Sequence, residues 1–134
     1  MSPLLRNVLA ILAGIVIGSI VNMGIIMLGP SIIPLPEGVD PTSVDSIKAN
    51  IDKFEAKNFI LPFLAHALGT LVGAFLASKV AANNKYLFAM VIGAWFLVGG
   101  ILNSMAIPGP AWFTALDLLF AYLPMAYLGH RLAR

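Results

Sequence analysis

Long apolar runs alternate with short polar breaks along this chain, and four of the runs are long enough to matter. They cover about residues 5–28, 59–82, 86–107 and 112–129. The first stops at Gly29-Pro30, the second before Asn83-Asn84, and the third at Pro108-Gly109-Pro110. Each is close to the ~20 residues an α-helix needs to cross a ~30 Å hydrocarbon layer. The pattern predicts an all-α fold, a single transmembrane domain over 1–134 in the form of a four-helix bundle. The first run is too long for the apolar region of a secretory signal. Ile32-Ile33-Pro34 follows it where small residues would mark cleavage, so it is expected to stay as a helix.

The connection over 31–58 is the only long one, and its pattern changes. Asp40-Pro41 offers an N-cap followed by proline at the first helical position. Val44, Ile47, Ile51 and Phe54 then recur at helical spacing, with Asp45, Lys48, Asp52 and Lys53 between them. A short amphipathic helix over about 40–55 is expected, lying on the membrane face or over the mouth of the bundle.

Runs one and three also align without gaps. Ile11, Ala13, Gly18 and Asn22 face Ile92, Ala94, Gly99 and Asn103, while Ala74-Phe75-Leu76-Ala77 in run two faces Ala126-Tyr127-Leu128-Gly129 in run four. The bundle is thus expected to be built from two similar helical hairpins, related by an axis along the membrane normal.

Composition sharpens the picture. Of 134 residues, 60% are hydrophobic and 10% charged, well below the ~25% charged residues of soluble domains. No cysteine is present, which excludes disulfides and thiolate chemistry. Lys and Arg do not cluster among aromatics as a nucleic-acid surface would require, and His66 and His130 lack metal-ligand spacing. No metal, cofactor or nucleic acid is expected. Arg6, Lys79, Lys85, Arg131 and Arg134 fall on one side of the four runs, against Lys48, Lys53 and Lys57 on the other. That bias predicts cytoplasmic termini, with Tyr86, Trp112 and Tyr127 at the interfaces.

Apolar side chains gain nothing by leaving lipid for one another, so packing must come from small residues and polar contacts. Gly14, Gly18, Gly69, Gly73, Gly99 and Gly100 are the expected packing positions, and Pro124 should bend run four or free a carbonyl near residue 120. The polar contacts are fewer. Asn22, His66, Asn103 and Asp117 contribute one strongly polar side chain per run, each about 6–11 Å below the loop-side boundary. All lie on small-residue faces, with Thr70 one turn from His66. A carboxylate within a span costs about 2.5–3.5 kcal/mol on insertion scales and normally has a partner. His66 is the expected partner of Asp117. Ser104 could in principle complete a nucleophile–base–acid relay with them, but no Gly-x-Ser-x-Gly surrounds it, and an enzyme is not expected.

The stretches Gly18-Ser19-Ile20-Val21-Asn22-Met23-Gly24, Pro36-Glu37-Gly38-Val39-Asp40 and Pro62-Phe63-Leu64-Ala65-His66-Ala67-Leu68-Gly69-Thr70 resemble an uncharacterised family of small bacterial four-span membrane proteins. The resemblance implies a bacterial inner membrane and assigns no activity. Small multidrug exporters differ in carrying an acidic residue in span one. Two functional expectations result. In the first, Asn22, His66, Thr70, Asn103 and Asp117 bind or conduct a proton, a cation or a small polar ligand. In the second, the same cluster is interhelical glue in an accessory subunit. The expected partners are the lipid bilayer and either a second copy or a larger membrane complex.

Overall fold

A computed structural model describes residues 1–134, and the whole chain is helical or loop. Helix α1 spans Pro3–Ile32, α2 Val44–Asn50, α3 Ile60–Val80, α4 Lys85–Ala106, α5 Ala111–Phe120 and α6 Leu123–Ala133. Short 3-10 turns over Ile51–Lys53 and Ala56–Phe59 lead into α3. Four helical segments are long and apolar enough to cross a membrane: Pro3–Ile32, Ala56–Val80, Lys85–Ala106 and Ala111–Ala133.

Glycine and alanine decide which helices touch. Helix α3 is central and packs on α1, α4 and α6. A Cβ placed on Gly73 would lie 2.6 Å from the carbonyl oxygen of Gly14, and one on Gly18 would lie 2.7 Å from that of Gly69. The α1 and α3 backbones are therefore in direct contact, an approach that only glycine allows. On the other side of α3, Gly129 of α6 sits over the carbonyl of Leu71. Gly93 of α4 meets Ala126 of α6, and Gly100 is covered by the ring of Tyr122. Gly99 departs from expectation. It is exposed, and a Cβ there would meet nothing within 4 Å, because its direction on α4 points into the gap beside α1 rather than at a neighbour. The half of the bundle nearer the termini is filled by Ala74, Ala77, Ala89, Ile92 and Ala126, each wholly buried.

Three boundaries differ from the sequence pattern. Gly29-Pro30 does not end α1. Proline only withdraws one N–H, the N–H of Ile33 still reaches the Gly29 carbonyl at 2.9 Å, and Gly29 packs on Leu61 of α3. Asp40-Pro41 does not start the loop helix. The Asp40 carboxylate instead accepts from the Thr42 amide (2.9 Å) and hydroxyl (2.7 Å) in a local turn. Ser43 takes the cap, its hydroxyl accepting from the Ser46 amide at 3.1 Å, so α2 is shorter than the 40–55 expected. The third difference was foreshadowed by Pro124. The fourth span breaks at Ala121-Tyr122, where Tyr122 has φ −116° and ψ −80°, and Pro124 supplies no N–H to the carbonyl of Phe120.

Both ends of α3 are tied down. At the end near the chain termini, Arg6 Nε donates to the Val80 carbonyl (2.6 Å), and Asn7 joins the Asn83 side chain (3.0 Å) and the Ala82 amide (2.8 Å). Lys85 Nζ donates to the carbonyls of Ser78, Lys79 and Ala81 at 3.0, 3.3 and 2.7 Å. These cations satisfy the last carbonyls of α3 and sit at the negative end of its dipole. At the other end Asn58 caps the turn that leads into α3 and donates to the Pro34 carbonyl at 3.0 Å. Phe59 is buried there against Phe54, Trp112 and Phe113.

Candidate functional site

The close contact of α1 with α3 relaxes toward the loop end, where side chains larger than glycine return, and a cavity of about 430 Å³ opens there. That is within the ~300–1,000 Å³ of small-molecule sites. Its walls are mostly apolar, with Ile26 from α1, Leu118 from α5, and Ile47, Ile51 and Phe54 from the 44–54 segment. This segment therefore covers the cavity, with Ile47, Ile51 and Phe54 half-buried and Val44 exposed. All four residues of the anticipated polar layer, Asn22, His66, Asn103 and Asp117, line it. Because α1 extends to Ile32, Asn22 lies about 15 Å from the end of its own helix at 1.5 Å per residue, deeper by that count than the sequence suggested. The cavity joins the four all the same.

The layer divides into two parts with different chemistry. His66 Nδ1 lies 2.7 Å from Asp117 Oδ1, and the hydroxyl of Tyr122 donates to Asp117 Oδ2 at 2.9 Å. An ionised carboxylate only accepts, so the His66 hydrogen is on Nδ1 whenever Asp117 is charged. The Tyr122 ring stacks on the imidazole with 5.9 Å between centroids. Asp117 is 5% exposed, and each of its oxygens takes one hydrogen bond. One carboxylate ties α3, α5 and the start of α6 together.

Residue spacing alone does not bring Tyr122 to this network. Five residues apart on a continuous helix, Asp117 and Tyr122 would point about 140° away from each other. Only the break before Pro124 turns the phenol back onto the carboxylate, so the proline was the available signal. Thr70 is likewise committed locally, its hydroxyl donating to the His66 carbonyl at 2.8 Å. Ser104 donates to the Ile101 carbonyl at 2.8 Å on its own helix, and no relay with His66 and Asp117 is assembled.

Asn22 is different. The residue lines the cavity, while its Oδ1 is buried and has no hydrogen-bond partner in the protein. Its Cβ side is pressed against Gly69, which fixes the side chain's position. Asn103 is exposed on the same wall. A second cavity of about 230 Å³ between α1, α3 and α4 shares Asn22, His66, Gly100 and Asn103 with the first, and Thr70 and Gly99 lie on its border. The expected site residues are therefore all brought to one region, and the two asparagines and the Nε2 of His66 keep polar groups free for something else.

A further polar pair lies far from this region. Ser78 Oγ and His130 Nδ1 are 2.8 Å apart between α3 and α6, and nothing in their sequence spacing suggested it.

Compared with protein-family models, curated proteins and solved structures, the chain matches none.

Proposed function

We propose that this is a small integral membrane protein that binds a small molecule in the cavity under the 44–54 segment. Asn22 and Asn103 supply recognition, and the His66–Asp117–Tyr122 network holds the walls in place. One observation carries this reading: Asn22, Asn103 and the Nε2 side of His66, none of them given a hydrogen-bond partner by the protein, line one 430 Å³ space. Buried polar atoms are nearly always paired, because leaving one unpaired costs about 1–3 kcal/mol. Here the unpaired amide oxygen of Asn22 belongs to a residue on the cavity wall, beside polar groups that a ligand would pair.

Binding is favoured over conduction. The buried alanines and Ile92 fill the bundle between this layer and the Ser78–His130 pair, so the polar residues do not form a chain across it. The reading places the protein in a bacterial inner membrane with both termini cytoplasmic and the cavity in the outer leaflet. It also retains the two-hairpin repeat as the origin of the paired asparagines, although Gly18 is packed on α3 and its counterpart Gly99 is open.

The accessory-subunit reading draws on the same network. His66, Asp117 and Tyr122 satisfy one another, as interhelical glue does. Native mass spectrometry of the protein released from its own membranes separates the two. The binding reading expects a small-molecule adduct on the parent, and its loss when Ser104→Trp fills the cavity. Equal adducts on both, or a parent found only with another protein, would favour the accessory role. Proton flux in liposomes that His66→Gln abolishes would favour conduction.

A further inference from the structure

The His66–Asp117–Tyr122 network also fixes which nitrogen of the imidazole is left for the cavity. Asp117 Oδ1 lies 2.7 Å from Nδ1, Tyr122 donates to the other carboxylate oxygen at 2.9 Å, and its ring stacks on the imidazole. Turning the His66 ring over would forfeit the Asp117 contact. His66 lines both cavities, and its Nε2 has no partner in the protein. With Asp117 ionised and the hydrogen on Nδ1, that nitrogen presents a lone pair. Resting on the binding reading above, we infer that the cavity takes an organic amine in its ammonium form. Its N–H donates to His66 Nε2, and its hydrocarbon body lies against Ile26, Leu118 and the 44–54 segment.

Charge decides between the ligands that could use this nitrogen. Asp117 is the one carboxylate on the cavity wall, and Lys57 is the one cation. Lys57 Nζ is 3.7 Å from Glu55 and its side chain is 60% exposed, so water screens it and a carboxylate already accompanies it. Helices α1 and α4 bring no charged side chain to either cavity, and α6 brings only the phenol of Tyr122. A neutral imidazole on an ionised Asp117 therefore leaves a net negative charge in a buried place, where an uncompensated charge is costly. An ammonium on Nε2 cancels it. A carboxylate or phosphate there would need a protonated imidazole and would still leave negative charge unbalanced. A proton can occupy the same lone pair, and it passes to water when the ammonium takes its place. A metal ion would lack ligands, because nowhere do three His, Cys, Asp or Glu side chains converge. Asn103, exposed on the same wall, offers its amide oxygen to a second N–H. The amide nitrogen of Asn22 can only donate, so it is left for an acceptor elsewhere on the ligand.

The test uses the full chain in vesicles of zwitterionic lipid with three photoprobes. They share one medium-length hydrocarbon tail bearing a diazirine and differ in the head: a primary ammonium, a trimethylammonium or an alcohol. The first carries charge and N–H, the second charge alone, and the third a donor alone. Labelled peptides are mapped by mass spectrometry against the mole fraction of probe in the lipid. The primary ammonium should label residues 41–54 and 113–118 saturably, at mole fractions roughly tenfold or more below those the other two need, as one charge-assisted hydrogen bond implies. His66→Asn keeps an amide N–H near the position of Nδ1 to hold Asp117 and removes Nε2, so it should erase that preference. Alcohol labelling equal to that of the primary ammonium would overturn the charge requirement. Equal labelling by the trimethylammonium probe, or a preference that survives in folded His66→Asn, would overturn the hydrogen bond to Nε2. Each of these results leaves the binding reading intact, and the comparison on the parent decides even if His66→Asn does not fold. If no probe reaches the cavity peptides, the inference and the binding reading fall together.

Discussion

At the scale of single residues, the Oδ1 of Asn22 and the carboxylate of Asp117 are both buried polar groups, yet they should answer mutation in opposite ways. Asn22→Ala removes an acceptor that nothing in the protein satisfies, so the variant should unfold at the same temperature or a higher one, with a gain of up to about 1–3 kcal/mol. Thermal unfolding in detergent micelles checks this, and a clearly less stable variant would mean that the amide has a partner after all. His66→Leu strips one of two donors from a buried carboxylate, and a buried charge that loses its partner costs about 3–5 kcal/mol. Adding Asp117→Leu removes the stranded charge, so the double variant should be more stable than His66→Leu alone. Simple additive losses would show that the two side chains are not coupled. Outside the spans, the Thr42 hydroxyl and amide hold the Asp40 carboxyl below its ordinary value of 3.8. A lowered folded-state value stabilises the turn above about pH 3.8 and loses that support as acid protonates Asp40. The Thr42 amide resonance should therefore titrate with a midpoint below 3.8, and a midpoint at or above that value would remove Asp40 from the turn.

Among whole helices, closeness is governed by what glycine omits. Gly73→Leu must push α1 off α3, since even its Cβ would lie 2.6 Å from the Gly14 carbonyl oxygen, whereas Gly24→Leu meets open space. The first should fail to yield folded protein or lose well over ~3 kcal/mol, as strongly overpacked cores do, and the second should unfold with the parent. Similar unfolding temperatures for the two would refute the tight α1–α3 seam. This seam could be read from the sequence because four-residue spacing of small residues on two runs marks a face without any knowledge of the partner. The Asp117–His66 contact could be anticipated for a related reason, since a carboxylate in lipid demands a partner and there was one imidazole at its depth. What could not be anticipated depends on direction rather than spacing. Gly99 belongs to the same kind of stripe, but only the rotation of α4 decides that it faces a gap. Tyr122 joins Asp117 because a helix breaks, and a proline announces a break without giving the angle beyond it. The Asp40 turn arose because Asp serves an N-cap or a local turn equally well, and Ser43 three residues later was the better cap.

For the molecule as a whole, the cations at the two ends serve both architecture and orientation. Arg6 and Lys85 come from different helices, yet both reach carbonyls at the C-terminal end of α3, so the termini and the 81–84 turn share one end of the bundle. The segment with Lys48, Lys53 and Lys57 closes the opposite end and also carries Glu37, Asp40, Asp45, Asp52 and Glu55. The orientation proposed above puts the Arg6–Lys85 end in the cytoplasm, because positive charge resists transfer across a membrane more than negative charge does. The fold adds a reason for that arrangement to persist: Arg6 and Lys85 are hydrogen-bonded into the helix end, so inverting the protein would drag committed cations through lipid. The chain contains no cysteine, so a single introduced thiol reports its side without background. Lys53→Cys should react in intact bacterial cells with a membrane-impermeant maleimide, and Arg134→Cys should react only after the cells are opened. Both positions are exposed, so the thiols should be accessible in the folded protein. The opposite result would turn the cavity toward the cytoplasm. Reaction of both in intact cells would mean that the termini and the 44–54 segment are not on opposite sides at all, which an even number of membrane crossings between Arg134 and that segment would require.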